Sequence, residues 1–357
     1  MTETISADAV IVGGGVLGVA TAERLAARKR SVVLIERSEI AGGATGISGG
    51  LVRCSETVPE YRPWARSGFH IYLRRGWRGR WPAVREAGSL RLFASRHLQE
   101  AIDQVSLVHK AALPAMLLDS SEMRRRFPTL LVPHGVVAVY EPQAGWLPAA
   151  ELTTAMLAEA TPATTILPRS RVVELLTAGD RIAGVRTADG VTVKAPTVLL
   201  AAGLASAELA AQVGVRLPLA NRRIGYCLFQ ARGVDLNTLP TVVDTRSGGW
   251  LRPWDRHTVL AGTRSSAAGA DTINHSVSAA EIDRVRSSWS DCYPELAVAR
   301  VVGGVTGYDA FSESPGAVQA WPDPQGLVTA VGWNGSGFKL APALGDYAAS
   351  LMSGLIG

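Results

Sequence analysis

The sequence predicts an α/β plus α+β fold in which a parallel-sheet domain is interleaved with antiparallel sheet. Three observations carry this. Asp8-Ala-Val-Ile-Val-Gly13 and Ser31-Val-Val-Leu-Ile-Glu36 are short apolar runs of the kind buried on both faces of a parallel sheet. Thr197-Val-Leu-Leu-Ala-Ala-Gly203 and Gly326-Leu-Val-Thr-Ala-Val-Gly332 repeat that pattern far downstream, each ending in glycine. Between them, Gly135-Val-Val-Ala-Val-Tyr140 and Thr258-Val-Leu-Ala-Gly262 read as strands of an antiparallel sheet.

Gly14 to Ala27 has helical character, with Val16, Leu17, Ala20 and Leu25 able to face a sheet, so a β-α-β unit is complete by Glu36. Asp119 to Phe127 carries a capping pattern, Ser120 or Ser121 ahead of Glu122, and predicts a short helix before Pro128. Leu340 to Met352 predicts a closing helix. No internal repeat, low-complexity tract or linker interrupts the chain.

With 357 residues, 19% of them charged and 47% hydrophobic, the chain can bury a large core and suggests about two domains. No run approaches the roughly 18 apolar residues of a membrane span. Met1 to Ala7 is polar and lacks a basic leader, so a soluble, cytoplasmic protein is expected. The net charge of +5 rests on only four lysines, Lys29, Lys110, Lys194 and Lys339, against many arginines. The arginines concentrate between Arg62 and Arg96 and at Arg124-Arg125-Arg126. No nucleic-acid motif accompanies them, so they read as solvated surface and no nucleic-acid partner is expected. Cys54, Cys227 and Cys292 have no ligand or disulfide spacing and read as free thiols of a reducing compartment. His70, His109 and His257 read as structural residues, and no metal site is expected.

Gly13-Gly14-Gly15-Val16-Leu17-Gly18 follows a strand and opens a helix, the setting in which G-x-G-x-x-G binds a dinucleotide. Gly13 permits the tight turn, Gly15 lets backbone approach a pyrophosphate, and Gly18 allows close helix–strand packing. The helix N-terminus adds N–H donors and positive potential. Glu36, ending the second strand, can accept from ribose hydroxyls. After Arg37-Ser38 comes the small-residue stretch Ala41-Gly-Gly-Ala-Thr-Gly-Ile-Ser-Gly-Gly50. Such a stretch lets backbone pass close to a bulky planar group, which favours FAD over NAD.

On these residues the chain resembles the D-amino-acid oxidase superfamily of flavoproteins, and within it the sarcosine oxidase and glycine oxidase branch. The resemblance spans nearly the whole chain. It includes Thr45-Gly-Ile-Ser-Gly-Gly-Leu-Val-Arg53, Val198-Leu-Leu-Ala-Ala-Gly203, Trp250-Leu-Arg-Pro253 with Val259-Leu-Ala-Gly262, and Gly332-Trp-Asn-Gly-Ser-Gly-Phe-Lys339. It implies a Rossmann-like FAD-binding domain interleaved with an antiparallel-sheet substrate domain. The expected bounds are 1–80, 141–215 and 306–357 for the first, and 81–140 and 216–305 for the second. The expected cofactor contacts are Gly13, Gly15, Val16, Leu17, Gly18, Glu36, Arg37, Thr45, Ser48, Gly49, Gly50, Ala202, Gly203, Gly335, Ser336, Gly337, Phe338 and Lys339. Val172 matches a position whose backbone meets the adenine, or is a buried strand valine.

The resemblance places Arg53 and Lys339 where an arginine and a lysine clamp a substrate carboxylate, a bidentate grip beside a point charge. Trp250 matches an aromatic cover of the pocket, or is plain core. Tyr308 and Phe311 fall near a pocket-lining position, and Arg252 reads as solvent-facing. Three departures matter. No cysteine stands near Gly307-Tyr308-Asp309, so FAD is expected to be non-covalent. Leu260 stands where the family has a lysine thought to activate oxygen. Arg264 stands where sarcosine oxidases have a histidine, and it either receives a second carboxylate or is an exposed strand end.

The implied reaction is two-electron oxidation of an amino acid or N-substituted glycine, with hydride passing to flavin N5 and the imine hydrolysing. Oxygen or another acceptor takes the electrons. A secondary amine with a longer acidic arm, as in biosynthesis, fits Arg264. The alternatives are a dehydrogenase of the same fold and a non-catalytic FAD-containing subunit. Either a monomer or a homodimer is expected.

Overall fold

The computed structural model describes residues 3–231, 236–269 and 272–356. Its six-stranded sheet runs Ala317–Ala320, Leu327–Val331, Val198–Leu200, Ala9–Val12, Val32–Ile35, Thr164–Leu167. Five of these strands are parallel, and only Ala317–Ala320 runs antiparallel to its neighbour. Every residue of Ala9–Val12, Val32–Ile35, Val198–Leu200 and Leu327–Val331 is buried. That explains the unbroken apolar runs, because both faces of this sheet are covered. Val16–Ala27 and Gly337–Ile356 pack on one side. A four-stranded sheet of Thr4–Ser6, Thr192–Lys194, Arg181–Thr187 and Val172–Ala178 covers the other.

An eight-stranded, mostly antiparallel sheet forms the second layer, in the order Arg300–Ser312, Leu219–Gln230, Thr258–Thr263, Gly249–Pro253, Thr241–Asp244, Ser89–Ala94, Val136–Glu141, Met116–Asp119. Its one parallel pairing joins Thr241–Asp244 to Ser89–Ala94. The helix Ala279–Trp289 closes a core beneath it, with Val285, Trp289, Leu251 and Phe229 fully buried. The strand Arg300–Ser312 runs across residues 305 and 306 without a break. No described helix is long and apolar enough to cross a membrane.

Two elements refine the sequence reading. The short helix is Ser120–Arg126, and its N-cap is Asp119 rather than either serine: Asp119 accepts from Glu122 N–H at 2.8 Å while Glu122 accepts from Asp119 N–H at 3.0 Å. The closing helix starts earlier and runs later, Gly337–Ile356, and it holds Pro342 inside its second turn. Proline has no N–H for the carbonyl four residues back. The Tyr72 hydroxyl, from the helix Arg62–Trp77, donates to that Phe338 carbonyl at 2.5 Å.

The candidate active site

The glycine turn is shaped by contact. Gly13 has φ +114°, and a Cβ there would lie 2.5 Å from the Ala201 carbonyl oxygen. A Cβ on Gly18 would lie 2.0 Å from the Gly13 carbonyl oxygen, so no side chain fits where helix and strand cross. Glu36 binds the turn from below: one oxygen accepts Gly14 N–H at 2.7 Å, the other Ser38 N–H at 2.8 Å. Thr45 Oγ1 accepts Val16 N–H at 3.0 Å at the start of the helix, which no side chain of Gly15 caps. Val16 and Leu17 pack inward, and Arg37 reaches Tyr308 Oη. Tyr308 is thereby drawn toward the Glu36 end of the turn.

The small-residue stretch comes next. Ser48 Oγ accepts Gly50 N–H at 3.1 Å, and Gly50, at φ +69°, presses on the Leu147 carbonyl. Trp250 lies between two glycines: a Cβ on either Gly49 or Gly262 would fall 2.4 Å from its ring. Ala202 N–H is tied to Ser206 Oγ at 3.0 Å, and Gly203 has φ +59°. At the far end Gly332, Asn334 and Gly335 all have positive φ, and Asn334 staples this loop to Ser312 by two bonds of 2.9 Å. Gly337, Phe338 and Lys339 open the closing helix. Bare backbone at the turn, the small-residue stretch and this loop, beside the N-termini of two helices, fits a dinucleotide with a planar ring.

A cluster of charges lies against this loop. Lys339 is 4% exposed and its Nζ is ion-paired with Glu56, itself 3% exposed. Burial, together with Arg53 and Arg91, pulls the Lys339 ammonium down to about 7, against the pull of Glu56. Glu56 accepts Val58 N–H at 3.0 Å and Ser336 Oγ at 3.4 Å, and Lys339 and Arg91 hold its carboxyl well below the usual range despite burial. Burial and then Arg91 push the Arg53 guanidinium down to about 9. Glu141 fixes the segment between them, accepting Cys54 N–H at 2.8 Å and Ser55 N–H at 3.1 Å. Arg53 and Lys339, 286 residues apart in sequence (339 − 53), are thus brought into one electrostatic cluster.

Two arginines, Arg252 and Arg91, depart from the expectation of solvated surface. Arg252 does not face solvent: it is 3% exposed, donates to the Gly49 carbonyl at 2.8 Å and stacks 3.7 Å over Trp146. The sheet covers its stem, and two aromatic faces replace water around its head. Arg91, one of the arginines read as solvated surface, is 3% exposed because it sits mid-strand in a covered sheet. Arg264 is exposed just past the strand Thr258–Thr263, its stem along Gly248. Val172 begins a strand of the four-stranded sheet and is buried there. Leu260 is fully buried. Phe311 packs under Arg222 at 4.1 Å. His70 and His109 each bond a backbone carbonyl at 2.9 Å. Asp244, Asp291 and Cys292 are close enough to suggest a metal, but the Arg246 guanidinium bonds all three. Glu56, Glu141 and Arg91 had no sequence signal as site residues, since each acts through partners far away in the chain.

Residues 8–351 match the family described as FAD dependent oxidoreductase. The chain belongs to that family. Its cofactor is therefore FAD, and its relatives fall in the glycine and sarcosine oxidase branch. It is 27% identical to a glycine oxidase of Pseudomonas putida over 98% of this chain and 95% of that protein. It is 24% identical to a monomeric sarcosine oxidase of Streptomyces avermitilis over 96% and 93%. The fold is shared with the crystal structure of L-proline dehydrogenase from P. horikoshii, with a TM-score of 0.88 and 21% identity over 99% of this chain and 94% of that one.

Proposed function

We propose that this flavoprotein oxidises the C–N bond of a small amine bearing a carboxylate, an N-substituted glycine or an amino acid. The observation that carries this is Arg53, a half-buried residue whose Nε is shielded from solvent and has no hydrogen-bond partner, beside buried Lys339 at the cofactor loop. A cationic donor shielded from water without its bond is costly, and a substrate carboxylate would supply one. Bound FAD supplies the two-electron acceptor, and the imine product then hydrolyses in water. Arg53 anchors the carboxylate and so fixes the position of the carbon that loses hydride. The surplus of cations lowers the pKa of the bound amine and favours its reactive neutral form. Trp250, held between Gly49 and Gly262, covers the site and excludes water.

FAD is held without a covalent bond. Cys54, Cys227 and Cys292 are buried, and burial pushes each thiol up to about 12, far from nucleophilic. The second reading is a dehydrogenase that passes electrons to an acceptor other than oxygen. What favours it is Leu260, a buried aliphatic side chain at the position where the resembled enzymes carry a lysine.

The test is anaerobic titration of the purified protein with glycine, sarcosine, proline, D- and L-amino acids and N-carboxyalkyl glycines, read in the visible flavin spectrum. Bleaching by a carboxylated amine is expected, and readmitted air then separates the two readings by the rate of recolouring. A flavin that dithionite reduces but no carboxylated amine bleaches would overturn the proposal in favour of a non-catalytic subunit.

A further inference from the structure

We propose that Arg91 is the second arm of the substrate clamp: Arg91 and Arg53 together grip the carboxylate, while Lys339 stays paired with Glu56. This rests on the carboxylated-amine reading above and names the residues that recognise the anion.

The strand Ser89–Ala94 alternates its contacts. Leu90 and Leu92 enter the core beneath the sheet, and Arg91 points to the opposite face. The pairing of Ser89 with Glu141 and of Arg91 with Val139 puts Arg91 and Glu141 on that same face. Glu141 holds Cys54 and Ser55, so Arg91 looks onto the segment from Arg53 to Glu56. Its only hydrogen bond among the described residues is a long one, Nη2 to the Ser55 carbonyl at 3.4 Å.

An arginine that served only the fold would have its five donors engaged. Arg91 is 3% exposed, and its Nε and Nη1 have no partner. Arg53 Nε is equally idle. The two guanidiniums also repel: after burial, Arg91 is the largest influence holding the Arg53 guanidinium down. Lys339 differs, because its ammonium already has a carboxylate, Glu56. With Lys339 protonated in its pair with Glu56, Arg53, Arg91 and Lys339 against Glu56 and Glu141 leave one positive charge over (3 − 2). One carboxylate would neutralise that charge, and the idle donors that could receive it are on the two arginines. Two guanidinium forks also match the two oxygens of a carboxylate better than a fork and an ammonium that is already engaged.

The experiment measures binding of (methylthio)acetate, a thioether analogue of sarcosine that has no C–N bond to oxidise. The readout is the shift in flavin absorbance of the purified holoenzyme. Arg91→Met is expected to weaken binding about a hundredfold and Lys339→Met by about tenfold or less. Arg91→Lys should recover part of the loss, because it returns the charge without the fork. The thermal midpoint of ligand-free Arg91→Met should stay close to that of the wild type, since the change removes two unsatisfied buried donors while Lys339 remains paired with Glu56. Unchanged affinity in Arg91→Met overturns the proposal, as does a fall in thermal midpoint for both Arg91 variants. A wild-type protein that binds no (methylthio)acetate overturns the carboxylate reading itself, a separate result.

Discussion

The glycine turn and the charge cluster serve one site but are made differently. At the turn the work is done by backbone, and the polar groups are satisfied by near neighbours: Gly14 by Glu36, 22 residues on, and Val16 by Thr45, 29 residues on. In the cluster, side chains do the work and the partners are remote. Glu141 reaches back 87 residues to Cys54, and Ser336 reaches back 280 residues to Glu56. The turn is nearly complete without a ligand, whereas the cluster keeps donors on Arg53 and Arg91 idle. A cofactor site can be rigid and self-satisfied because its ligand stays. A substrate site must leave bonds to be made and broken in every turnover.

Breaking the first member of this pair should have the largest effect. Gly18→Ala puts a Cβ 2.0 Å from the Gly13 carbonyl, where only backbone can move. A loss of about 3 kcal/mol or more is expected, with protein that purifies colourless or without flavin. The flavin-to-protein absorbance ratio and the thermal midpoint check it. A yellow, fully stable variant would mean that the helix slides freely and the turn is not the rigid partner in the comparison.

Glu56→Gln sharpens the second member. It removes the counter-charge from Lys339 but retains an oxygen for Val58 N–H. Breaking a buried pair from one side costs about 3 kcal/mol. The pH dependence is specific. Without Glu56 the folded pKa of Lys339 falls below its present value of about 7, while the unfolded chain keeps the ordinary 10.5. Between those values the unfolded state holds a proton that the folded state lacks, so the variant gains stability as pH rises. The deficit against wild type should be largest in mildly acid solution and shrink as pH rises to about 7, where wild-type Lys339 also becomes neutral. Above that it should stay constant, in denaturant melts at several pH values. A deficit independent of pH would mean that Lys339 is not the group left unpaired.

The same contrast explains what could be read from sequence. Gly13, Gly15, Gly18 and Glu36 lie within 24 residues and follow from local geometry, so their placement needed no tertiary knowledge. The parallel strands were legible because burial on both faces leaves an unbroken apolar run. Arg91 and Arg252 were read as solvated because an arginine is ordinarily exposed. Nothing local says that Arg252 has Trp146 and Trp254 around it, or that Arg91 lies on a covered sheet face. Lys339 stood out as one of four lysines, but its partner Glu56 lies 283 residues away (339 − 56) and carries no motif.

The smallest expected effect lies where the two regions meet. Asp309, on the strand that pairs with Leu219–Gln230, accepts Ala310 N–H at 2.9 Å and is also bonded by backbone N–H of Gly335 in the cofactor loop. Burial outweighs those bonds and pushes its carboxyl up from 3.8 to about 6. Between those values the folded state holds a proton that the unfolded chain has lost, so this group costs stability as pH rises through the window, and the full cost is present above it. Asp309→Asn keeps the acceptor oxygen and has no proton to lose. It should therefore match wild type near pH 4 and exceed it by at most about 3 kcal/mol at pH 8, measured as denaturant midpoints of the holoprotein. A variant less stable at both pH values would show that the ionised carboxylate is needed by the Gly335 N–H, and that this end of the cofactor loop is held by charge as well as by backbone.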